Sequence, residues 1–415
     1  MKKNCFEEKD IQKIYMRHER PFPIHNDYEI CCYLKSIWEC GWLDEYSDDH
    51  FLIKAIENRL TMFVGYTQMI NNDPNLHGLI KAKGIIDNKS FSQNFCMNFS
   101  LRLAYLNNVF GKENIERFVK DQLSAGKLNY SEDTFFEALS EVSVLYFYAY
   151  RYNWKEALYE PPIDKSNSAK NPEASFVGEL PIGDDIQRVR INIEVKCPKF
   201  PSIEQQERKI AIPTVLLSDE GRKQVPTFCE SNGVTCLSPR VLKLKDFLNS
   251  AASKFSVPKE NEYNLLYINW SYCDFPSNSF LEAWSLLTNA INGILIHRNV
   301  ARKMGVSPDV FEKITAVVVY TEALEGLMFQ DFRFVWQMNG RGQRFRMWVL
   351  NDDLRNAENS RKSDTLFYIT GMKPTDELTQ MVMLDCKSQT HRERAESAMF
   401  GVRLANLIAR YVDNQ

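Results

Sequence analysis

The chain has 415 residues, with 51 Lys and Arg against 54 Asp and Glu, for a net charge of −3. At about 150 residues per domain this is room for two or three domains. The near balance of charge excludes a generic polyanion binder, so any nucleic-acid contact must come from a local basic patch. An apolar fraction of 44% excludes global disorder, and no window reaches the roughly 18 consecutive apolar residues of a membrane span.

Residues 1–127 read as a helical N-terminal domain. The first residues, Met1 to Glu8, lack the apolar stretch of a secretory signal. None of the Cys residues forms a C-x-x-C pair, so reduced thiols in a cytoplasmic protein are expected. Apolar positions recur at helical spacing over Glu29–Trp42 and Phe51–Ile70, where Leu52, Ile56, Leu60 and Phe63 share a face. Asn71-Asn72-Asp73-Pro74 ends the second helix, and Phe95–Phe110 and Asn114–Leu123 continue the pattern. This domain carries no catalytic signature. A partner protein or a second copy of the chain would bind through it.

A core domain is expected over residues 128–322. Ser131 is a fitting N-cap for a helix running to about Trp154, with Glu132 and Asp133 suited to its first-turn dipole. Val142–Tyr150 is apolar all round, which predicts a buried helix. Strands follow near Ala157–Tyr159, Ala174–Leu180 and Val189–Cys197. The turn residues Pro181-Ile182-Gly183-Asp184-Asp185 make the last two a hairpin. Residues 198–240 read as an irregular insertion, with Ile210–Leu217 a candidate strand. A helix over Leu242–Phe255 is then predicted, with Leu244, Phe247, Leu248 and Ala251 on its apolar face. A strong strand follows at Tyr263–Trp270. Phe280–Ile291 reads as a helix and Ile314–Tyr320 as a buried strand. Residues 323–415 form a C-terminal α/β extension. It has strands at Phe332–Trp336 and Phe345–Leu350 across the turn Asn339–Gly342, and an amphipathic helix over Arg392–Val412.

The run Ile191-Asn192-Ile193-Glu194-Val195-Lys196 carries the chemistry. Residues two apart on a strand face the same side, so Glu194 and Lys196 share a face and Val195 points away. Burying that pair among Ile and Val is costly unless the two ions pair or hold a metal. Upstream stand Pro172-Glu173 before a strand and Glu141 within the apolar helix. An acid on a helix, a Pro-acid pair on a strand and Glu-x-Lys on the next strand resemble the PD-(D/E)XK nuclease superfamily over roughly residues 131–271. The order helix, three strands, helix, strand is that family's restriction-endonuclease-like core.

The resemblance implies Mg²⁺ or Mn²⁺ held by Glu173, Glu194 and the backbone carbonyl of Val195. It implies that Lys196 activates the attacking water, with Glu141 as an added acid. It further implies DNA as the substrate and a bacterial restriction or phage-defence role. The family's usual Asp is Glu173 here, and Glu179 is its rival on the same strand. Competing readings remain: an exposed Glu-x-Lys ladder, or a binding or scaffolding protein that kept the fold and lost the metal. Arg341, Arg344 and Arg346, interleaved with Phe345, are candidates for phosphate contact. A solvated hairpin tip is the alternative for them.

Overall fold

The computed structural model describes residues 32–57, 59–60, 88–162, 171–198, 231, 240–270, 279–288, 293–320, 345–350 and 360–371. The protein is mixed α/β and divides into two compact units. The first takes in residues 1–159 and 322–338, the second residues 160–321 and 339–415. Among the described residues no helix is long and apolar enough to cross a membrane.

The first unit is built of α1 (Cys32–Glu39), α2 (Phe51–Ile56), α3 (Asn88–Phe110), α4 (Lys112–Phe118), α5 (Glu132–Arg151) and the strand β1 (Glu156–Tyr159). The helix expected over Phe51–Ile70 ends at Ile56, where the Glu57 amide closes the last turn on Ala55 and Ile53 carbonyls; residues 61–70 lie outside the described residues. The α2 N-cap is His50, whose Nδ1 accepts from the Leu52 amide at 3.0 Å. Its Nε2 donates to the Leu123 carbonyl at 3.0 Å, so the ring is neutral and its proton sits on Nε2. Burial holds His50 down at about 4, against an opposing pull from the Leu123 carbonyl. Ser131 caps α5 as expected, accepting from the Thr134 amide at 3.4 Å. That helix is buried over Phe135–Phe136 and Ala138–Ala149, while Tyr150, expected inside, is exposed. Gly126 precedes it with φ of 97°, and a Cβ there would meet the Asn129 carbonyl oxygen at 2.5 Å, so only glycine fits this turn.

The second unit is a sheet with helices packed on it. Its strands are β2 (Ala174–Ile182), β3 (Asp185–Lys196), β4 (Glu262–Asn269), β5 (Ala316–Tyr320) and β6 (Phe345–Val349). They lie side by side in chain order. β2 and β3 form the predicted antiparallel hairpin, with Ile182 opposite Asp185. Its two-residue turn places Gly183 at φ 62°, the left-handed conformation such turns demand. β3, β4 and β5 run parallel, and β6 returns antiparallel to β5.

Parallel neighbours need crossovers. The first includes α6 (Arg240–Lys254). The second includes α7 (Ser279–Thr288), α8 (Arg298–Lys303) and α9 (Asp309–Lys313). Later in the chain comes α10 (Ser360–Thr370). Leu244, Leu248, Ala251 and Ala252 of α6 share one core with Leu266 and Ile268 of β4 and Val317 and Val319 of β5. That core fixes which face of the sheet α6 covers. Most of the 198–240 insertion, the strands at 210–217 and 332–336, and the helix at 392–412 lie outside the described residues.

Candidate active site

The register decides where Glu194 points. Glu194 stands opposite Leu266 and Lys196 opposite Ile268. Paired residues share a face, and Leu266 and Ile268 belong to the core beneath α6. Glu194 and Lys196 therefore look toward α6, not toward water. The Glu194 side chain is 0% exposed and that of Lys196 20%. An exposed Glu-x-Lys ladder is excluded.

The end of α6 delivers a second lysine. Lys254, its last residue, places Nζ 2.8 Å from Glu194 Oε1 and 3.4 Å from Glu173 Oε1. Lys196 Nζ lies 2.5 Å from the same Glu194 Oε1. A single ammonium thus touches both carboxylates, and two ammoniums converge on one oxygen. That oxygen is held by charge and not by aligned hydrogen bonds, while Glu194 Oε2 is buried and has no hydrogen-bond partner among the described residues.

Glu173 sits just before β2, its side chain 13% exposed. It is set against the hairpin's antiparallel register, in which Ala174 faces Ile193. Its carbonyl accepts from the Glu160 amide at 2.9 Å, pinning the entry to the strand. Burial and then the charge of Glu194 push the Glu173 carboxyl up to about 7, with Lys254 and Lys196 opposing and Glu160 adding. Burial pulls the Lys254 ammonium down, but Glu173 and Glu194 outweigh it and hold the ammonium above its usual 10.5. Glu179 is exposed and stands opposite Arg188, six residues from Glu194 along β3, so Glu173 and not Glu179 is the carboxylate brought beside Glu194.

A network of buried amides aligns these parts. Asn192, on the Glu194 face, donates from Nδ2 to Asn264 Oδ1 and to Glu262 Oε1, both at 2.8 Å. Asn264 Nδ2 donates to the Ser256 carbonyl at 2.7 Å and the Lys313 carbonyl at 2.6 Å. Ser256 lies two residues beyond Lys254, so this network fixes where α6 ends relative to β3.

Val195 is buried opposite Tyr267. Glu141 belongs to the first unit, where it is buried and its Oε1 accepts from the Tyr159 hydroxyl at 3.0 Å; the cluster consists of second-unit residues alone. Arg346 lies in β6 opposite Val319. Arg341 and Arg344 lie outside the described residues.

Sequence reasoning missed Lys254, Asn192 and Asn264. Each had a signal. Lys254 continues the apolar stripe of α6 three residues after Ala251, and each Asn interrupts an apolar strand.

No group of three or more His, Cys, Asp and Glu side chains gathers among the described residues. Two carboxylates nonetheless suit a hard ion such as Mg²⁺, which keeps several waters and takes one or two carboxylates. Glu194 Oε2, without a hydrogen-bond partner among the described residues, is an atom that could serve as such a ligand. Comparison with protein-family models, with curated proteins and with solved structures gives no significant match for this chain.

Proposed function

We propose that the second unit is a metal-dependent nuclease of the PD-(D/E)XK kind, acting on DNA. The observation that carries the reading is the fully buried Glu194, with Oε2 unpartnered, facing Glu173 through a shared ammonium and flanked by Lys196. The hairpin β2–β3, the crossover helix α6 and the parallel strand β4 repeat the order expected of a restriction-endonuclease-like core. Structural ion pairs in a core tend to leave no carboxylate oxygen bare, because an unpartnered buried charge is strongly destabilising.

In this reading Glu173, Glu194 and the Val195 carbonyl would hold Mg²⁺ or Mn²⁺, which would supply charge neutralisation at the phosphoryl oxygens and a water of lowered pKa. Lys196 orients that water and favours the negative charge developing at phosphorus. Asn192 and Asn264 hold β3, β4 and the end of α6 in register, so they position and do not react. A role in restriction or phage defence, in the cytoplasm, is the setting proposed for such an activity.

The test is cleavage of single- and double-stranded DNA and of RNA by purified protein with Mg²⁺ or Mn²⁺, beside Glu194→Gln. Metal-dependent cleavage that disappears in Glu194→Gln supports the reading, and equal cleavage by both proteins rejects it. A second reading is favoured by Lys254: an ammonium on both carboxylates balances them without a metal, as in a binding protein on a degenerate nuclease fold. Nucleic-acid binding with no cleavage and no metal uptake would select it.

A further inference from the structure

We infer that Lys254 occupies the cation position between Glu173 and Glu194 in the metal-free protein, and must leave it before a divalent ion binds. The inference rests on reading this cluster as a metal centre, and it assigns to α6 a gate on that centre. Four observations support it.

First, Lys254 is the ammonium that reaches both carboxylates, at 3.4 Å and 2.8 Å. Lys196, by contrast, pairs with Glu194. Second, the oxygen Lys254 takes, Glu194 Oε1, is the one Lys196 also takes. A hard ion binding carboxylate oxygen at about 2.0–2.1 Å would put a third positive centre on two carboxylates. Like-charge repulsion disfavours that crowding, and the side chain able to withdraw is the one that yields. Third, the helix itself is anchored. Its apolar face is in the core, Asn249 Nδ2 donates to the Gly305 carbonyl at 2.9 Å and Asn249 Oδ1 accepts from the Ser307 amide at 2.8 Å. The Ser256 carbonyl just beyond it is held by Asn264. Fourth, the Lys254 side chain is 21% exposed. Part of that side chain therefore already meets solvent with α6 in place. Lysine's long flexible stem suits such a swing.

Metal and Lys254 then compete for the same two carboxylates. The metal-free state is charge-compensated, and metal affinity is lowered by the fraction of molecules in which Lys254 sits in place. Once displaced, the ammonium becomes free to meet substrate phosphate.

The test measures Mn²⁺ binding by calorimetry to the full-length wild type, Lys254→Met and Glu194→Gln. In parallel, reductive methylation of each lysine in the wild type is followed by mass spectrometry with and without saturating Mn²⁺. Expected are Mn²⁺ binding at least about tenfold tighter in Lys254→Met, loss of binding in Glu194→Gln, and faster methylation of Lys254 when Mn²⁺ is bound. Equal or weaker binding by Lys254→Met, with Glu194→Gln still impaired, overturns the gate and leaves the metal centre standing. No Mn²⁺ binding by wild type and Lys254→Met alike overturns the metal reading and the gate with it. If Lys254→Met fails to fold, the wild-type methylation decides: an unchanged Lys254 rate at Mn²⁺ saturation overturns the inference.

Discussion

A carboxylate with no exposed surface and one oxygen without a partner is costly to keep in a fold, since removal of a buried charge from its partners destabilises by several kcal/mol. Glu194 keeps two ammoniums on its other oxygen, and they differ in kind. Lys196 shares its strand and its face, and Lys254 arrives from a helix. The first is fixed by the pleat of β3 and suits the water-orienting role. Lys196→Ala should lower the cleavage rate by about 10²–10³-fold, the usual loss when one group stabilising developing charge is removed. DNA affinity should stay near wild type, while the unfolding midpoint should fall, because the buried Glu194 keeps only the Lys254 ammonium. Single-turnover kinetics and a binding titration check this, and a variant retaining full turnover would assign the water to another group. The Glu-x-Lys pair was legible in sequence because a period of two is enough to place both side chains together. Lys254 was not, because its partners are 60 or more residues away and only the crossover brings it back.

At the level of elements, the hairpin, α6 and β4 were legible because each is a clean periodic run bounded by turn residues or a cap. The helix over Phe51–Ile70 was overextended for the opposite reason. Apolar spacing continues through Leu60, but the chain leaves the helix after Ile56, and Leu60 is buried by a non-helical route with its amide donating to Ser92 Oγ at 3.2 Å. Tertiary context overrode periodicity there. The amide network was illegible because an Asn in a strand says nothing of which carbonyls it will meet. Asn264 joins β3, the segment after α6 and the last residue of α9. Removing its side chain would strand the Ser256 and Lys313 carbonyls and leave the Asn192 amide with Glu262 as its acceptor. Asn264→Ala should therefore destabilise the protein by about 2–4 kcal/mol, seen as a lower urea midpoint with an unchanged slope. It should also weaken Mn²⁺ binding, because the end of α6 loses its tether. A variant as stable as wild type would show that water replaces the amide.

At the scale of the whole molecule, charge and pH give two tests. With a net charge of −3, any affinity for nucleic acid must rest on a few local cations. Replacing Arg341, Arg344 and Arg346 together by Ala should weaken binding alike for unrelated sequences. It should flatten the log–log salt dependence by about 0.9 for each duplex phosphate that is no longer neutralised. An unchanged slope would place the phosphate-binding cations elsewhere on the protein.

The pH response should differ between the two units. His50 in the first unit is held at about 4, below its usual 6.5. The unfolded chain therefore binds the proton more tightly, and the stability His50 contributes is present above 6.5 and lost as pH falls toward 4. Glu173 in the second unit is pushed the other way, to about 7 from its usual 4.5. Here the folded chain binds the proton more tightly, so the second unit is stabilised as pH falls from 7 to 4.5 and penalised as it rises. Amide exchange resolved by segment reads both at once. Between pH 7.5 and pH 5, after correction for intrinsic rates, protection should fall over α2 and α5 and rise over β2, β3 and α6. Glu173→Gln should abolish the second change and leave the first. Saturating Mn²⁺ at pH 7.5 should raise protection in β2 and β3, since the bound ion offsets the charge that acid would otherwise remove. Parallel loss of protection in both units on acidification would mean that Glu173 stays ionised in the folded protein, and that Lys254 and Lys196 neutralise it more fully than its burial allows.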